Sequence, residues 1–308
     1  MFQADLYDPL PIVDAHHHLW DLEGQIRYPW LALDATYSHM GDNASLKRTY
    51  LPAEFRRDSA LHNVIATVHI EAECDRSAQV AETAWVSGIA KTESIPQAIV
   101  AHAWIDEPNS EDILLQHKQF PLVRGIRTKP IISNGPTDSV RGLPRSMQDP
   151  RWRKGLGLLE KHDFSWDLRV VWWHLQEAAE VVREHPNLRV VLNHTGYPLD
   201  RSPEALKVWR QGMEALAACP NVHCKISGLT VLGQPWTLAA NRPIIHDAIR
   251  IFGVERCMFA SNFPVDGLKG SWDYLYSCFK SAVSDLDLGD RQKLFSQNAL
   301  RFYRINVG

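Results

Sequence analysis

Ile12-Val13-Asp14-Ala15-His16-His17-His18-Leu19-Trp20 is the stretch on which the fold turns. An apolar run leads straight into three histidines, at the point where a doubly wound nucleotide-binding sheet would carry a glycine-rich phosphate turn after its first strand. Alternate residues of a strand face the same side, so His16 and His18 direct two imidazoles into one space. Imidazole is the commonest metal ligand and the side chain whose ordinary pKa lies nearest neutrality. A His-x-His pair at a strand end therefore builds either a metal site or an acid–base site.

Outward from this stretch, short β-branched runs alternate with longer amphipathic segments along nearly the whole chain. Strands are expected over 11–16, 63–71, 98–104, 122–128, 164–171, 188–194, 222–227 and 256–261. Helices are expected over 77–91, 149–162, 175–184, 203–218 and 243–252, with a closing helix over 290–303. Eight strands with helices between them predict an α/β fold, a single (β/α)8 TIM barrel over residues 1–308, in which reactive side chains sit at the C-terminal ends of the strands. No Pro/Gly/Ser-rich linker divides the chain, and its 45% hydrophobic content is enough to bury a large core.

Composition narrows the partners. A formal charge of −3 without a basic cluster argues against nucleic acid. Residues 1–5 lack the basic and apolar regions of a secretory signal, and no apolar run approaches the roughly 20 residues needed to cross a bilayer. Cys74, Cys219, Cys224, Cys257 and Cys278 are odd in number and form no Cys-x-x-Cys pair, as expected of reduced thiols in a cytoplasmic protein. Eleven tryptophans leave room for a homo-oligomer interface.

The strand ends collect polar groups. The second strand runs into His69-Ile70-Glu71-Ala72-Glu73, where a carboxylate can ligate a metal or orient an imidazole. The fourth carries Arg124 and Arg127, and a guanidinium there suits capture of a carboxylate or polarisation of a carbonyl; a surface salt bridge is the alternative, more so for Arg124. The fifth meets Trp172-Trp173-His174, a pocket wall or simple packing. The sixth delivers His194 to a turn at Gly196. The seventh ends Lys225-Ile226-Ser227-Gly228, with Lys225 read as an outward surface lysine, and the eighth continues through Asn262 to Asp266.

In this order the elements resemble the amidohydrolase superfamily, specifically the amidohydrolase-2 group of TIM-barrel hydrolases that includes sugar lactonases and pyrone-dicarboxylate lactonases. The matching stretches are 14–20 with Tyr28-Pro29-Trp30-Leu31, then 71–73, 123–127, 193–196, 225–229 and 259–265. The resemblance implies that His16 and His18 are the first-strand pair, that His194 is the sixth-strand histidine, and that Arg127 binds substrate oxygen. It also implies an aspartate at 262 as the general base for water, and this chain has Asn262. An amide lacks the basicity to replace a carboxylate there. Asp266, four residues on, is a carboxylate in different geometry.

The expected function is a hydrolase that opens a lactone or related cyclic ester by attack of water on a polarised carbonyl. His16 and His18 would position the carbonyl or a metal, His194 would move protons, Asn262 would hold the water, and His194 or Glu71 would activate it. Arg127 would anchor the carbonyl or a carboxylate, with Tyr28 and Trp30 shaping the pocket mouth and Arg124, His174 and Asp266 as further substrate contacts. His16, His18 and His194 with a carboxylate suit zinc or manganese, whereas loss of the aspartate at 262 suits a metal-free site; the sequence leaves both open. The rivals are a non-oxidative decarboxylase or hydratase of an unsaturated or aromatic acid, and a barrel that binds a small organic acid or lactone without turnover.

Overall fold

Eight parallel strands pair in sequence order around a nearly closed barrel: β1 Asp8–His17, β2 His62–Ile70, β3 Ala98–Ala101, β4 Val123–Ile126, β5 Ser165–Leu168, β6 Val190–Leu192, β7 Val222–Ile226 and β8 Cys257–Phe259. The structure is a computed structural model that describes residues 8–32 and 41–307. All eight strands were anticipated, and most are shorter than their apolar runs because the runs continue into the loops that carry the polar groups. The two ends of the sheet meet where the chain beyond β8 reaches β1. His17 bridges Phe263 in parallel, the Asn262 N–H donates to the His16 carbonyl at 2.7 Å, and the His18 N–H donates to the Phe263 carbonyl at 2.8 Å.

Parallel strands covered by helices are buried on both faces, which explains their nearly continuous apolar runs. Ile99, Trp166, Leu168, Cys224, Ile226 and Phe259 pack outward against the helices. Val13, Ala66, Val68, Val100, Val191 and Met258 fill the barrel interior, closed below by Phe302, Tyr303 and Ile305. Alternation then turns Asp167, between Trp166 and Leu168, and Lys225, between Cys224 and Ile226, into the interior.

The helices are α1 Pro52–Asp58, α2 Gln79–Glu93, α3 Ser110–Lys118, α4 Pro150–Lys161, α5 Leu175–Arg183, α6 Pro203–Ala217, α7 Leu238–Phe252, α8 Trp272–Ala282, α9 Leu288–Gln292 and α10 Asn298–Tyr303. Of these, α1, α3 and α8 were not anticipated. Helix α7 starts five residues earlier than the proline at 243 suggested, because Thr237 caps it by accepting from the Ala240 N–H. The expected closing helix is divided by a π turn over Lys293–Gln297. At its far side the Asn298 amide donates to the Val254 and Cys257 carbonyls, both at 2.7 Å, which ties α10 to the base of β8. The five cysteines are free and buried. No helix among the described residues is long and apolar enough to cross a membrane.

Candidate active site

Three imidazoles converge at the C-terminal mouth of the barrel. The ring centroids of His16 and His18 lie 5.1 Å apart, and His194, from the turn after β6, lies 4.5 Å from His16. His17 faces the other way, against Phe55 and His69. The turn that carries His194 is held in the left-handed region over four consecutive residues, with φ of 56° at His194, 51° at Thr195, 70° at Gly196 and 49° at Tyr197. Such backbone is costly for residues with a Cβ and persists only where the surroundings enforce it. Here the Trp209 indole N–H donates to the Thr195 carbonyl at 2.7 Å. Gly228, beside the ring, has φ of +58°, and a Cβ there would stand 2.6 Å from His194 Cγ.

Burial, followed by nearby positive charge, keeps all three rings neutral. Desolvation and then Lys225 push His16 well below the ordinary histidine range. Desolvation and Arg127 bring His18 down to about 3. Desolvation, then Arg127 and Arg169, push His194 well below the ordinary histidine range. Each ring also has one nitrogen committed. His18 Nδ1 meets the Ile70 carbonyl at 2.8 Å, His194 Nδ1 meets Ser227 Oγ at 2.9 Å, and His16 Nδ1 faces Lys225 Nζ at 3.4 Å.

Glu71 is buried and already fully engaged. Its Oε1 accepts from Arg127 Nε at 2.7 Å, and its Oε2 accepts from Arg76 Nη1 at 3.1 Å and from the Glu73 N–H at 2.8 Å. Burial pushes this carboxyl's pKa up, but Arg127, Lys129 and Arg76 outweigh it and hold it well below the usual range. Glu71 therefore orients Arg127 and is not a free base, which corrects one expectation from sequence. Arg127 also donates from Nη2 to the Glu71 carbonyl at 2.6 Å, while its Nη1 has no partner among the described residues. Glu73 is paired with Lys129.

Asn262 stands at φ of +54°, and its Nδ2 donates to Asp266 Oδ1 at 2.8 Å. Asp266 Oδ2 accepts from the Gly228 N–H at 3.0 Å. Burial raises the Asp266 carboxyl to about 7, against the lowering effect of these two donors. Asp266 thus supports Asn262 and does not reach into the cluster as a separate substrate contact.

The sequence reading missed Lys225 and Asp167. Lys225 is not a surface lysine: it is fully buried, with Nζ 2.5 Å from Asp167 Oδ1. The parity of β7 was the available signal, since Cys224 and Ile226 face the helices. Arg169, also unforeseen, donates from Nε to the Tyr197 hydroxyl at 3.1 Å, and that ring packs 4.8 Å from His194.

Other expected contacts lie elsewhere. Arg124 sits near the start of β4, donates to the Pro121 carbonyl, and lines with Arg304 a cavity of about 330 Å³ at the N-terminal end of the barrel. It is outside the cluster because Gly125 and Ile126 separate it from Arg127, which lies just beyond the end of β4. His174 has both nitrogens occupied, Nε2 by the Ser133 N–H at 2.9 Å and Nδ1 by Glu177 at 3.3 Å, and it braces the loop at 133. Tyr28 is buried in the core, with Glu82 and Cys74 beside its hydroxyl. Trp30 donates to the Ala72 carbonyl at 2.7 Å and lines a cavity of about 350 Å³ with Glu73 and Arg76 beyond the end of β2.

Against this geometry the likeness to known proteins is specific. The family model described as amidohydrolase matches residues 13–305. The chain belongs to the amidohydrolase family. An uncharacterised protein of Sinorhizobium fredii, y4mH, is 37% identical to this amidohydrolase over 296 residues, covering 96% of this chain and 99% of that one. An L-fucono-1,5-lactonase of Burkholderia ambifaria is 29% identical over 303 residues, covering 96% of each chain. An amidohydrolase of Burkholderia multivorans solved with bound HEPES superposes with a TM-score of 0.79 at 25% identity, covering 96% of this chain and 99% of that one; the same protein was also solved with bound zinc.

The zinc of that relative raises the question of whether these residues suit a divalent ion. The donors around the cluster are three neutral imidazoles and the Asn262 amide, with Lys225 and Arg127 adding positive charge. Glu71, Asp167 and Asp266 are each committed to another partner. Among the described residues no group of three or more His, Cys, Asp or Glu side chains is arranged to hold a metal ion. Each imidazole keeps its Nε2 uncommitted, as a metal ligand would, but no carboxylate is free to offset the charge of a divalent cation set beside Lys225 and Arg127, and on that ground the set as it stands does not fit one.

Proposed function

We propose that this amidohydrolase opens a lactone ring by attack of water on a carbonyl held among the three imidazoles and Arg127. The observation that carries the reading is the convergence of neutral His18 and His194 on His16, at 5.1 and 4.5 Å between ring centroids, bordered by the guanidinium of Arg127. Lactone opening turns a neutral ester into a carboxylate through an oxyanion, and preorganised donors beside buried positive charge favour both.

The commitments of the rings divide the labour. A carbonyl can only accept, so His18 donates Nδ1–H to Ile70 and presents a lone pair at Nε2 to the proton of the attacking water. Because Asn262 donates its amide N–H to Asp266, its amide oxygen is the end left to accept from that water and aim it. The water oxygen bonds to the carbonyl carbon, the ring C–O bond breaks, and the departing ring oxygen takes up a proton. That proton is the one His18 took from the water, relayed through His194, whose Ser227 partner can donate or accept and so permits either tautomer; both rings end neutral. One lactone and one water yield one hydroxy acid, which ionises and releases a proton. Arg127 Nη1 holds the carbonyl and then the carboxylate, oriented by Glu71.

Proton release from sugar lactones, muconolactones and pyrone carboxylates, followed with a pH indicator, tests the reading. Metal-stripped enzyme should turn over at least one of them at a rate that added zinc or manganese does not raise. Release of carbon dioxide from an unsaturated acid without lactone opening would replace the reading by decarboxylation. Thermal stabilisation by a lactone or acid without turnover would replace it by binding alone.

A further inference from the structure

Below the imidazoles the barrel interior contains a buried ion pair that lactone opening, as described, does not use. Lys225 Nζ stands 2.5 Å from Asp167 Oδ1, and neither side chain has exposed surface. Asp167 accepts in addition from the Tyr303 hydroxyl, at 3.0 and 3.1 Å to its two oxygens, and from Asn193 Nδ2 at 3.2 Å. Apolar side chains of similar volume commonly replace such a pair without loss of stability, so stability does not account for it.

The second contact of Lys225 gives it a role. An ammonium has three donors and no lone pair, and Lys225 Nζ faces His16 Nδ1 at 3.4 Å. That nitrogen is then the acceptor of the ring, and the single proton of neutral His16 belongs on Nε2. His16 Nε2 lies on the ring edge away from Lys225, buried and without a partner among the described residues, in a ring packed against those of His18 and His194. A buried N–H without an acceptor is costly in the free protein and is satisfied when an oxyanion arrives.

We propose that Tyr303, Asp167 and Lys225 form a positioning chain that fixes His16 as an Nε2–H donor to the developing oxyanion. The use of that donor rests on the lactone reading; the tautomer does not. The same proton occupies the lone pair through which His16 Nε2 would otherwise ligate a metal.

The experiment uses the full chain labelled with ¹⁵N-histidine, with His16→Gln to identify the His16 signals. In wild-type protein long-range ¹H–¹⁵N spectra should give His16 a protonated Nε2 and an unprotonated Nδ1. The double variant Lys225→Met/Asp167→Asn removes both charges together and leaves no lone buried ion. In it His16 should become a mixture of tautomers, with kcat on a turned-over lactone reduced about 100-fold, the size expected for one oxyanion donor, and KM nearly unchanged. Tyr303→Phe, which deletes one hydroxyl, should shift the His16 signals in the same direction and serves if the double variant fails to fold. A wild-type His16 protonated on Nδ1, or variants that keep both tautomer and spectrum of the wild type, would overturn the proposal. Absence of turnover with every lactone would instead remove the lactone reading and leave the His16 tautomer to be decided by the spectra.

Discussion

Replacing Asn262 by aspartate supplies the carboxylate that the family resemblance leads one to expect there, and the structure dictates what it would meet. Asn262 Nδ2 and Asp266 Oδ1 are 2.8 Å apart, so Asn262→Asp sets two carboxylates face to face and removes the amide donor that now lowers the Asp266 pKa. At that distance, with an effective dielectric of about 20, two unit charges repel by ~6 kcal/mol, or about four pKa units. Asp266 is already raised by burial to about 7. In the wild type the folded chain binds this proton more tightly than the unfolded chain, whose carboxyl titrates near 3.8. Stability therefore falls as pH rises from about 4 to about 7 and then levels off. In Asn262→Asp the pair shares a proton to well above 7, so stability continues to fall beyond that point, by about 1.4 kcal/mol for each pH unit. Urea unfolding of both proteins at pH 6, 7, 8 and 9 reads the difference directly. Parallel stability curves above pH 7 would refute the geometry from which the repulsion is worked.

Three further outcomes follow from contacts already described. Gly228→Ala should cost about 1–2 kcal/mol in chemical denaturation from its left-handed backbone alone, and should depress turnover further by displacing His194, since its Cβ would lie 2.6 Å from that ring. Glu71→Gln leaves Arg127 buried without its counter-charge and should destabilise the protein by about 3–5 kcal/mol in urea unfolding, with a rise in KM as the guanidinium loses its orientation. Arg124→Ala should leave kcat and KM unchanged and stability within about 0.5 kcal/mol, because that side chain lies at the opposite end of the barrel.

The barrel was legible in the sequence because parallel strands buried on both faces leave uninterrupted apolar runs, and each run here is terminated by polar residues. His16, His18, His194, Arg127 and Asn262 were legible for the same reason: they stand where those runs stop. Lys225 was not, since its charge suggested the surface, whereas burial beside Asp167 depends on a residue 58 positions away in sequence. Arg124 misled because position within a strand decides which end of the barrel a side chain reaches, and its chemistry equals that of Arg127. Helix α8 escaped notice because its buried face is aromatic: Trp272 and Tyr276 stack at 3.8 Å, a pattern that reads equally well as strand. The division of the closing helix followed from Asn298, whose carbonyl partners lie 41 and 44 residues away.

The seam between β1 and the chain beyond β8 has a consequence for how this enzyme would fail. The peptide groups that join the two ends of the sheet belong to His16, His18, Asn262 and Phe263, and Asp14 fastens the same joint by accepting from the Ser261 N–H at 2.8 Å and hydroxyl at 2.5 Å. The proposed reaction centre and the closure thus share one set of residues, and on that proposal no open barrel retains even a crippled centre. On heating, parting of this single joint abolishes turnover while seven strand pairings and the helices outside them still hold. Activity becomes a gauge of one joint, and its loss should precede the fall in helical circular dichroism.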